Sequence, residues 1–258
     1  MLNVTPDSFS DGGRFVEVEA AVAHARAMAE EGADLIDVGG ESTRPGALPV
    51  GAAEELHRVL PVIEQIRHLR PVSIDTTKAD VAARALEAGA SIVNDVSGAT
   101  GDPGMLRVVA ERGAAIILMH RKGTPRTMNR LARYHDVVRE VKRFLAARAE
   151  AALAAGIPRH AIAVDPGLGF AKNLTHNLTL LARIEEIVAL GFPVVIGVSR
   201  KRFLGRLLGQ PTGGRLEGTI AASLLALAGG AHIVRVHDVG PMARVIRVAR
   251  AVWSVHRS

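Results

Sequence analysis

Cysteine is absent from all 258 residues of the chain. This excludes disulfide bonds, thiolate nucleophiles and thiolate metal sites. Aromatic residues make up 3% of the chain, with one Trp and one Tyr, so few rings are available to stack on bases. The 32 basic residues are interleaved with 26 acidic ones, and the net charge of +6 therefore does not indicate a nucleic-acid partner. Steering of small anionic ligands is the better interpretation of that charge.

A long uninterrupted apolar run is missing as well. The longest apolar stretch, from Ile220 to Val234, contains Ser223, two glycines and His232. These interruptions predict a buried helix followed by a strand, not a membrane span. No signal peptide and no low-complexity linker are visible, so we expect a cytoplasmic enzyme with one domain over residues 1–258.

What the chain does contain is a short apolar run that ends in polar residues, repeated eight times. The runs are Met1–Val4, Leu35–Val38, Val72–Ile74, Ile92–Val93, Ile116–Met119, Ile162–Val164, Val194–Ile196 and Ile233–Val236. Helical periodicity lies between and after them, at 18–31, 53–67, 79–88, 103–112, 137–155, 177–190, 216–228 and 241–255.

Eight alternating strand and helix signals favour a closed (β/α)8 TIM barrel, for which about 250 residues is typical. The alternative is an open doubly wound α/β sheet. No Gly-x-Gly-x-x-Gly follows the first apolar run, and eight strands suit closure better, so the barrel is the stronger prediction.

The sixth run leads into Asp165-Pro166-Gly167, which places a carboxylate at the C-terminal end of a buried strand. Parallel α/β folds do their chemistry from this position. An Asp that caps a helix or holds a turn is the alternative. Asp75 and Asn94 occupy equivalent positions after the third and fourth runs, and this recurrence favours a functional interpretation.

Two carboxylates and an amide at neighbouring strand ends suit a flat ligand rich in N–H donors. They could equally form a catalytic carboxylate pair or hold a metal. Nearby, Asn3 can offer an amide oxygen to a hard cation such as Mg2+. For Asp7 and Asp11 we prefer ordinary turn chemistry.

Cationic residues follow other strand ends. Arg44 is fixed just before a proline and offers a planar fork of donors to carboxylate or phosphate. Arg235 and His237 alternate to the same side of the eighth strand, so both face one spot that should attract phosphate. Asp238 either belongs to this site or neutralises a neighbour in a surface ion network. His120 is interpreted as structural, and Met119 as wall packing.

Five motifs, taken in order, resemble those of dihydropteroate synthases. They are Asn3–Gly13, Asp37–Gly46, Asp165–Phe170, Ser199–Lys201 and Arg235–Val239. The resemblance implies a homodimeric, Mg2+-dependent enzyme of folate biosynthesis. It would join 4-aminobenzoate to 6-hydroxymethyl-7,8-dihydropterin diphosphate and release diphosphate.

The resemblance also implies roles for individual residues. The pterin edge would be bound by Asp75, Asn94, Asp165 and Lys201, between walls formed by Met119 and Phe170. Diphosphate or the aminobenzoate carboxylate would be held by Thr43, Arg44, Arg235 and His237. Ser199 would lie near the aminobenzoate, and Asn3 would contact the metal. The catalytic set would be Arg44, Lys201, Arg235 and His237.

Two alternatives share the pterin-binding acids. One is a pterin-binding methyltransferase domain that presents methyltetrahydrofolate to a corrinoid partner, and the other is an inactive paralogue that only binds pterins. Neither expels diphosphate, so Lys201 and the Arg235/His237 pair favour the synthase. Family members usually carry further residues before the Leu-Asn-Val-Thr motif, whereas two residues precede Asn3 here, so we expect a short first strand.

Overall fold

A computed structural model describes residues 1–4 and 14–255, and for residues 14–16 it describes the backbone alone. All eight predicted strands are present in the described residues, each within a few positions of its predicted bounds. They are β1 (Leu2–Asn3), β2 (Ile36–Gly39), β3 (Val72–Asp75), β4 (Ile92–Asp95), β5 (Ala115–Met119), β6 (Ile162–Asp165), β7 (Val195–Ile196) and β8 (Ile233–Val234).

Ten α-helices lie between or after these strands in the part of the chain that the structure describes. They are α1 (Arg14–Glu30), α2 (Ala52–Ile66), α3 (Ala79–Ala88), α4 (Met105–Glu111), α5 (Val137–Ala154), α6 (Leu174–Ala182), α7 (Glu185–Val188), α8 (Arg202–Leu208), α9 (Leu216–Ala228) and α10 (Val239–Val255). The predicted alternation of strand and helix is therefore confirmed.

Two helices differ from the prediction. The segment 177–190 is two helices, because Arg183 leaves helical geometry at φ −121° and ψ 33°. The first of them begins at a capping box, in which Asn173 accepts from the backbone N–H of His176 while His176 accepts from that of Asn173. The other difference is α8, which was not predicted; its seven residues end at Gly209 in the left-handed conformation.

The strands form a closed parallel barrel. β1 to β6 pair in sequence order as one six-stranded sheet, and β7 pairs with β8. A bridge between Val164 and Val194 joins β6 to the segment that leads into β7. The ring closes where the amino group of Met1 donates to the carbonyl of Val236 at 2.7 Å. The (β/α)8 TIM barrel is confirmed over the open doubly wound sheet.

Burial follows from this closure. Every residue of β2 and β3 is buried, because each strand is covered by the barrel interior on one face and by helices on the other. Two polar residues, Asp37 and Ser73, lie inside these strands, and they hydrogen-bond to each other. The polar residues predicted for the site lie where strands end and loops begin. None of the described helices is long and apolar enough to span a membrane. The predicted turn residues Asp7 and Asp11 lie outside the described residues.

Candidate active site

A cavity of about 690 Å³ opens at the C-terminal ends of the barrel strands. Nine of the twelve residues predicted for the site line it: Asn3, Thr43, Arg44, Asp75, Phe170, Ser199, Lys201, Arg235 and His237. The other three, Asn94, Met119 and Asp165, are buried at neighbouring strand ends. The register places Asn94 beside Asp75 and Met119 beside Asp165. The barrel thus brings the predicted set together at one mouth.

Arg235 is bound to two carboxylates at the centre of this mouth. Its Nε donates to Asp37 Oδ2 at 2.5 Å, and its Nη2 donates to Asp75 Oδ2 at 2.5 Å. Burial raises the pKa of Asp75 to about 7, and Asp37 and Glu55 add to the rise although Arg235 opposes it. The pKa of Arg235 is raised by the same carboxylates despite its burial, so the guanidinium stays charged.

Asp37 organises the floor beneath Arg235. Its carboxylate accepts from the hydroxyl of Ser73, its register neighbour on β3, and lies 3.4 Å from the amide nitrogen of Asn94. Burial would raise the pKa of Asp37, but Arg235 and the Ser73 hydroxyl outweigh it and hold the pKa below its ordinary value. Asp37 is therefore the anion that fixes Arg235, whereas Asp75 is the carboxyl more ready to take a proton.

Asp165 and Met119 lie on the opposite side of the floor. Asp165 Oδ1 accepts from the backbone N–H of Gly167 at 2.7 Å, and burial raises the pKa of this carboxyl. Met119 packs in a separate apolar cluster with Val96, Met128, Phe170 and Ala171. This packing fits the wall role predicted for Met119 and Phe170.

Lys201 and Phe170 are in contact at the mouth of the barrel. The Lys201 ammonium lies 4.3 Å from the centre of the Phe170 ring, a cation–π contact. Burial and the nearby Arg235 lower the pKa of Lys201 to about 8. The cation is therefore held in place but remains sensitive to mildly alkaline pH.

The ends of β7 and β8 are joined by side chains. Ser199 Oγ lies 2.9 Å from His237 Nδ1 and accepts from the His237 backbone N–H at 3.2 Å. Burial, with Arg200 and Arg235 nearby, lowers the pKa of His237 to about 3, so its imidazole is neutral. Asp238 forms a bidentate pair with Arg200 at 2.6 and 3.2 Å. Of the two interpretations of Asp238, the structure supports the second, because Asp238 neutralises the neighbouring Arg200.

Thr43, Arg44 and Asn3 lie at the rim. Thr43 and Arg44 are on the loop after β2, where Arg44 is exposed, and Asn3 ends β1, half-buried. Within the described residues no group of three or more His, Cys, Asp or Glu side chains could hold a metal ion. A cation at this mouth would take the neutral amide oxygen of Asn3 and draw its other ligands from a bound anion and water, as Mg2+ does in phosphate sites.

The comparisons with known proteins agree with this geometry. Residues 1–237 match the family of pterin-binding enzymes. The chain is 49% identical to the dihydropteroate synthase of Synechocystis, an alignment that covers 98% of this chain and 89% of that protein. The chain belongs to the dihydropteroate synthase family.

Other members of the dihydropteroate synthase family are similarly close. The Mycobacterium leprae enzyme is 48% identical over 97% of this chain and 91% of its own length. The structure of the Xanthomonas albilineans dihydropteroate synthase with 4-aminobenzoic acid superposes with a TM-score of 0.92 at 47% identity, covering 98% of this chain and 91% of that one. The similarity therefore extends over the whole barrel.

Two residues of this dihydropteroate synthase site were missed by sequence reasoning. Asp37 begins the second motif and lies inside the predicted run Leu35–Val38, so a charged residue within an otherwise apolar strand was the available signal. Lys172 follows the Asp165–Phe170 motif and carried no signal of its own. It is buried, and its ammonium lies 2.9 Å from His120 Nδ1. The structural interpretation of His120 fits this contact.

Proposed function

We propose that the chain uses this mouth to join 4-aminobenzoate to the methylene carbon of 6-hydroxymethyl-7,8-dihydropterin diphosphate, giving 7,8-dihydropteroate and diphosphate. As a dihydropteroate synthase it is a transferase of folate biosynthesis. The observation that carries the assignment of roles is a single cavity with a buried acidic floor and a cationic rim. An electron-rich heterocycle fits the floor, and an anionic leaving group fits the rim.

The floor would recognise the pterin. Asp75, Asn94 and Asp165 present oxygen atoms from the rigid strands β3, β4 and β6, and each hydrogen bond from a pterin N–H to a carboxylate contributes about 1.5–3 kcal/mol. Met119 and Phe170 would pack on the flat ring system. Lys201, held over Phe170, would donate to an acceptor on the pterin edge.

The rim, together with Arg235 at the centre of the mouth, would hold the two anionic groups of the substrates. Arg44, Arg235 and Thr43 line the same cavity and supply cationic and hydroxyl donors to diphosphate or to the aminobenzoate carboxylate. His237 would contribute as a neutral imidazole, because its pKa is far below neutral pH. Ser199, hydrogen-bonded to that imidazole, lies where it can contact the aminobenzoate.

The reaction would be a dissociative displacement without a protein nucleophile. The C–O bond to diphosphate breaks, the pterin supports positive charge at its methylene carbon, and the arylamine forms the new C–N bond and loses a proton. Arg44, Arg235 and His237 would stabilise the departing charge. Asn3 would hold Mg2+ together with phosphate oxygens, and that ion supplies further neutralisation of the diphosphate. The loop after β2 would close over the site and exclude water. The loop after β1 lies outside the described residues.

We further propose a cytoplasmic homodimer. The outer faces of α9 and α10, which pack against each other, expose large apolar side chains. Leu225 is 67% exposed, Val248 66% and Val252 56%. Exposed large apolar side chains on two helices that pack together are of the kind that marks a protein interface. A second copy would cover it through a two-fold axis.

The test is diphosphate release from the dihydropterin diphosphate with Mg2+, measured with and without 4-aminobenzoate. We expect release coupled to dihydropteroate formation, and its loss in Asp165→Ala. Asp80→Ala, at an exposed position of α3, is the matched control and should behave as wild type. A protein that binds the pterin but releases no diphosphate would refute the proposal and favour a pterin-binding domain of the methyltransferase type.

A further inference from the structure

Lys172 is a buried lysine at the wall of the same cavity that the reaction described above does not use. Burial lowers its pKa to about 7, although Asp165 opposes the fall, so its amino group carries a proton below neutral pH. Its side chain is 9% exposed, and its ammonium contacts four acceptors. These are His120 Nδ1 at 2.9 Å, the Gly167 and Phe170 carbonyls at 3.0 Å each, and the His120 carbonyl at 3.4 Å. No carboxylate in the described residues forms a salt bridge with it.

The acceptors come from two segments that must stay together. Gly167 and Phe170 belong to the loop after β6, and His120 follows β5. The loop approaches so closely that a Cβ on Gly167, where φ is +67°, would lie 2.0 Å from the His120 carbonyl. The ammonium therefore sits inside the loop and joins it to the end of the neighbouring strand.

A second buried side chain braces the same loop from outside. Asn177 on α6 accepts from the Gly169 backbone N–H at 2.7 Å and donates to the Lys172 carbonyl at 3.3 Å. Phe170 lies between the backbone groups held by Lys172 and by Asn177, and the Lys201 ammonium is 4.3 Å from the centre of its ring. The position of that ring, and of the cation above it, is thus fixed through the backbone that Lys172 holds.

His120 is suited to accept from Lys172. Burial, with Lys172 and Lys122 nearby, lowers the pKa of His120 to about 2, so its ring is neutral and Nδ1 can carry a lone pair. The Phe144 ring meets the His120 ring edge to face, with centroids 5.0 Å apart, and fixes its orientation. The ammonium is therefore surrounded by preorganised acceptors, none of which belongs to a substrate.

We propose that Lys172 is a positioning residue, an internal hydrogen-bond donor that shapes the Gly167–Lys172 loop so that Phe170 and Lys201 are aligned for the pterin. The inference rests on the proposed function for its kinetic consequence, but the order of the loop can be measured independently of activity. Removal of the ammonium leaves three carbonyls and a ring nitrogen without their shared donor in a buried site, and the loop then moves.

The kinetic test compares Lys172→Met with Lys122→Met. Lys122 lies on the loop after β5, where its ammonium is 3.6 Å from the centre of the Tyr134 ring and contacts Glu140. Lys122→Met therefore removes the same chemical group as Lys172→Met, but from a side chain that does not contact the Gly167–Phe170 backbone. We expect Lys172→Met to raise the KM for the dihydropterin diphosphate by about tenfold to a hundredfold and to leave the KM for 4-aminobenzoate nearly unchanged. Lys122→Met should leave both values as in wild type. Equal changes in both KM values would overturn the proposal.

Hydrogen–deuterium exchange supplies the readout that does not depend on turnover. Amides of residues 167–173 should exchange faster in Lys172→Met than in Lys122→Met, with other segments alike. Unchanged exchange in this loop would sink the positioning role even if the wild-type enzyme is active. If the wild-type protein is inactive but the loop exchanges faster in Lys172→Met, the proposed function is refuted and the positioning role is supported.

Chemical restoration separates the ammonium from its packing. Because the chain has no cysteine, Lys172→Cys introduces a single thiol. Aminoethylation of that thiol in denaturant, followed by refolding, rebuilds a lysine-like ammonium, whereas propylation rebuilds the same shape without charge. We expect aminoethylation to restore the wild-type KM for the pterin substrate and propylation to fail, against wild-type protein refolded in parallel. Equal recovery by both reagents would show that packing alone matters and would overturn the proposal.

Discussion

Arg235, which follows β8, donates a hydrogen bond of 2.5 Å to Asp75 at the end of β3, across 160 positions of sequence. Its Nε reaches Asp37, which lies inside β2. One guanidinium therefore ties the last strand of the barrel to the second and third. This arrangement stabilises the barrel and also holds the charges that a ligand would meet.

The first prediction concerns that bridge. Asp37→Asn should lower the free energy of unfolding by about 3 kcal/mol, because it removes one anion from a buried, paired cation. Asp238→Asn is the matched control, since its pair with Arg200 is at the partly exposed rim, where such pairs contribute up to about 1 kcal/mol. Urea unfolding followed by circular dichroism measures both. Losses of equal size would contradict the structural role given to Asp37.

A second prediction tests the approach of the β6 loop to β5. Gly167→Ala combines a left-handed backbone at φ +67° with a Cβ 2.0 Å from the His120 carbonyl, and should cost about 3 kcal/mol or more. Gly113→Ala has a similar φ of +60° but no atom within 4 Å of the added Cβ, and should cost about 1–2 kcal/mol. Thermal unfolding distinguishes them, and a smaller loss for Gly167→Ala would be incompatible with the close approach.

The third prediction is a pH dependence of stability. The pKa of His120 falls from its ordinary 6.5 to about 2 on folding, mainly through burial. The unfolded chain therefore binds a proton that the folded chain does not, and stability is complete above about pH 6.5 and falls as pH decreases, by about 1.4 kcal/mol per pH unit for this group.

His120→Asn should reduce that slope, because Asn keeps an acceptor near the Nδ1 position but does not titrate. The slope of the free energy of unfolding against pH, measured between about pH 6 and pH 4, should decrease by the amount that corresponds to one bound proton. The same substitution at the exposed His68 is the control. An unaltered slope in His120→Asn would mean that the buried ring does not stay neutral.

The fourth prediction concerns Arg44, which is exposed on the loop after β2. If it stabilises the leaving diphosphate, Arg44→Ala should lower kcat by about 100-fold or more while pterin affinity changes little. Steady-state kinetics and calorimetric titration with the pterin measure the two quantities. Arg107→Ala, at an exposed position of α4, should change neither. Similar losses in turnover and pterin affinity would argue against this division of labour.

The fifth prediction addresses assembly. Leu225→Glu places a charge among the exposed apolar side chains of α9 and α10, so the protein should sediment as a monomer where the wild type sediments as a dimer. Leu48→Glu is the control, because Leu48 is also an exposed leucine, 72% accessible, but lies on the loop after β2. This substitution should leave the mass of the assembly unchanged. A dimer that survives Leu225→Glu would place the interface elsewhere.

The fold could be predicted because its signals are local. Each buried strand is a run of a few apolar residues ended by polar ones, and each long helix repeats its apolar face several times, so both can be read without knowing what they contact. The helix α8 was missed because seven residues carry too little periodicity. The division between α6 and α7 was missed because a change of backbone geometry at Arg183 leaves no mark in the apolar pattern.

The site was predictable to the extent that it lies at strand ends. Asp75, Asn94 and Asp165 were found because they repeat one position in one repeated unit. Asp37 and Lys172 were not, since their roles depend on partners that folding brings together: Asp37 binds a residue 198 positions away, and Lys172 is held by carbonyl groups that the sequence does not display.

The split between the six-stranded sheet and the two-stranded sheet of β7 and β8 has an electrical consequence. The strands of the larger sheet supply the acids Asp37, Asp75 and Asp165, whereas the smaller sheet leads into the cations Lys201 and Arg235. The barrel is thus an anionic piece and a cationic piece joined by few backbone bonds. If the chain were cut in the turn before Phe192, the two fragments would carry opposite charges where they contact each other. We therefore expect the fragments to reassemble as a split enzyme, most readily at low ionic strength, where attraction between charges is least screened.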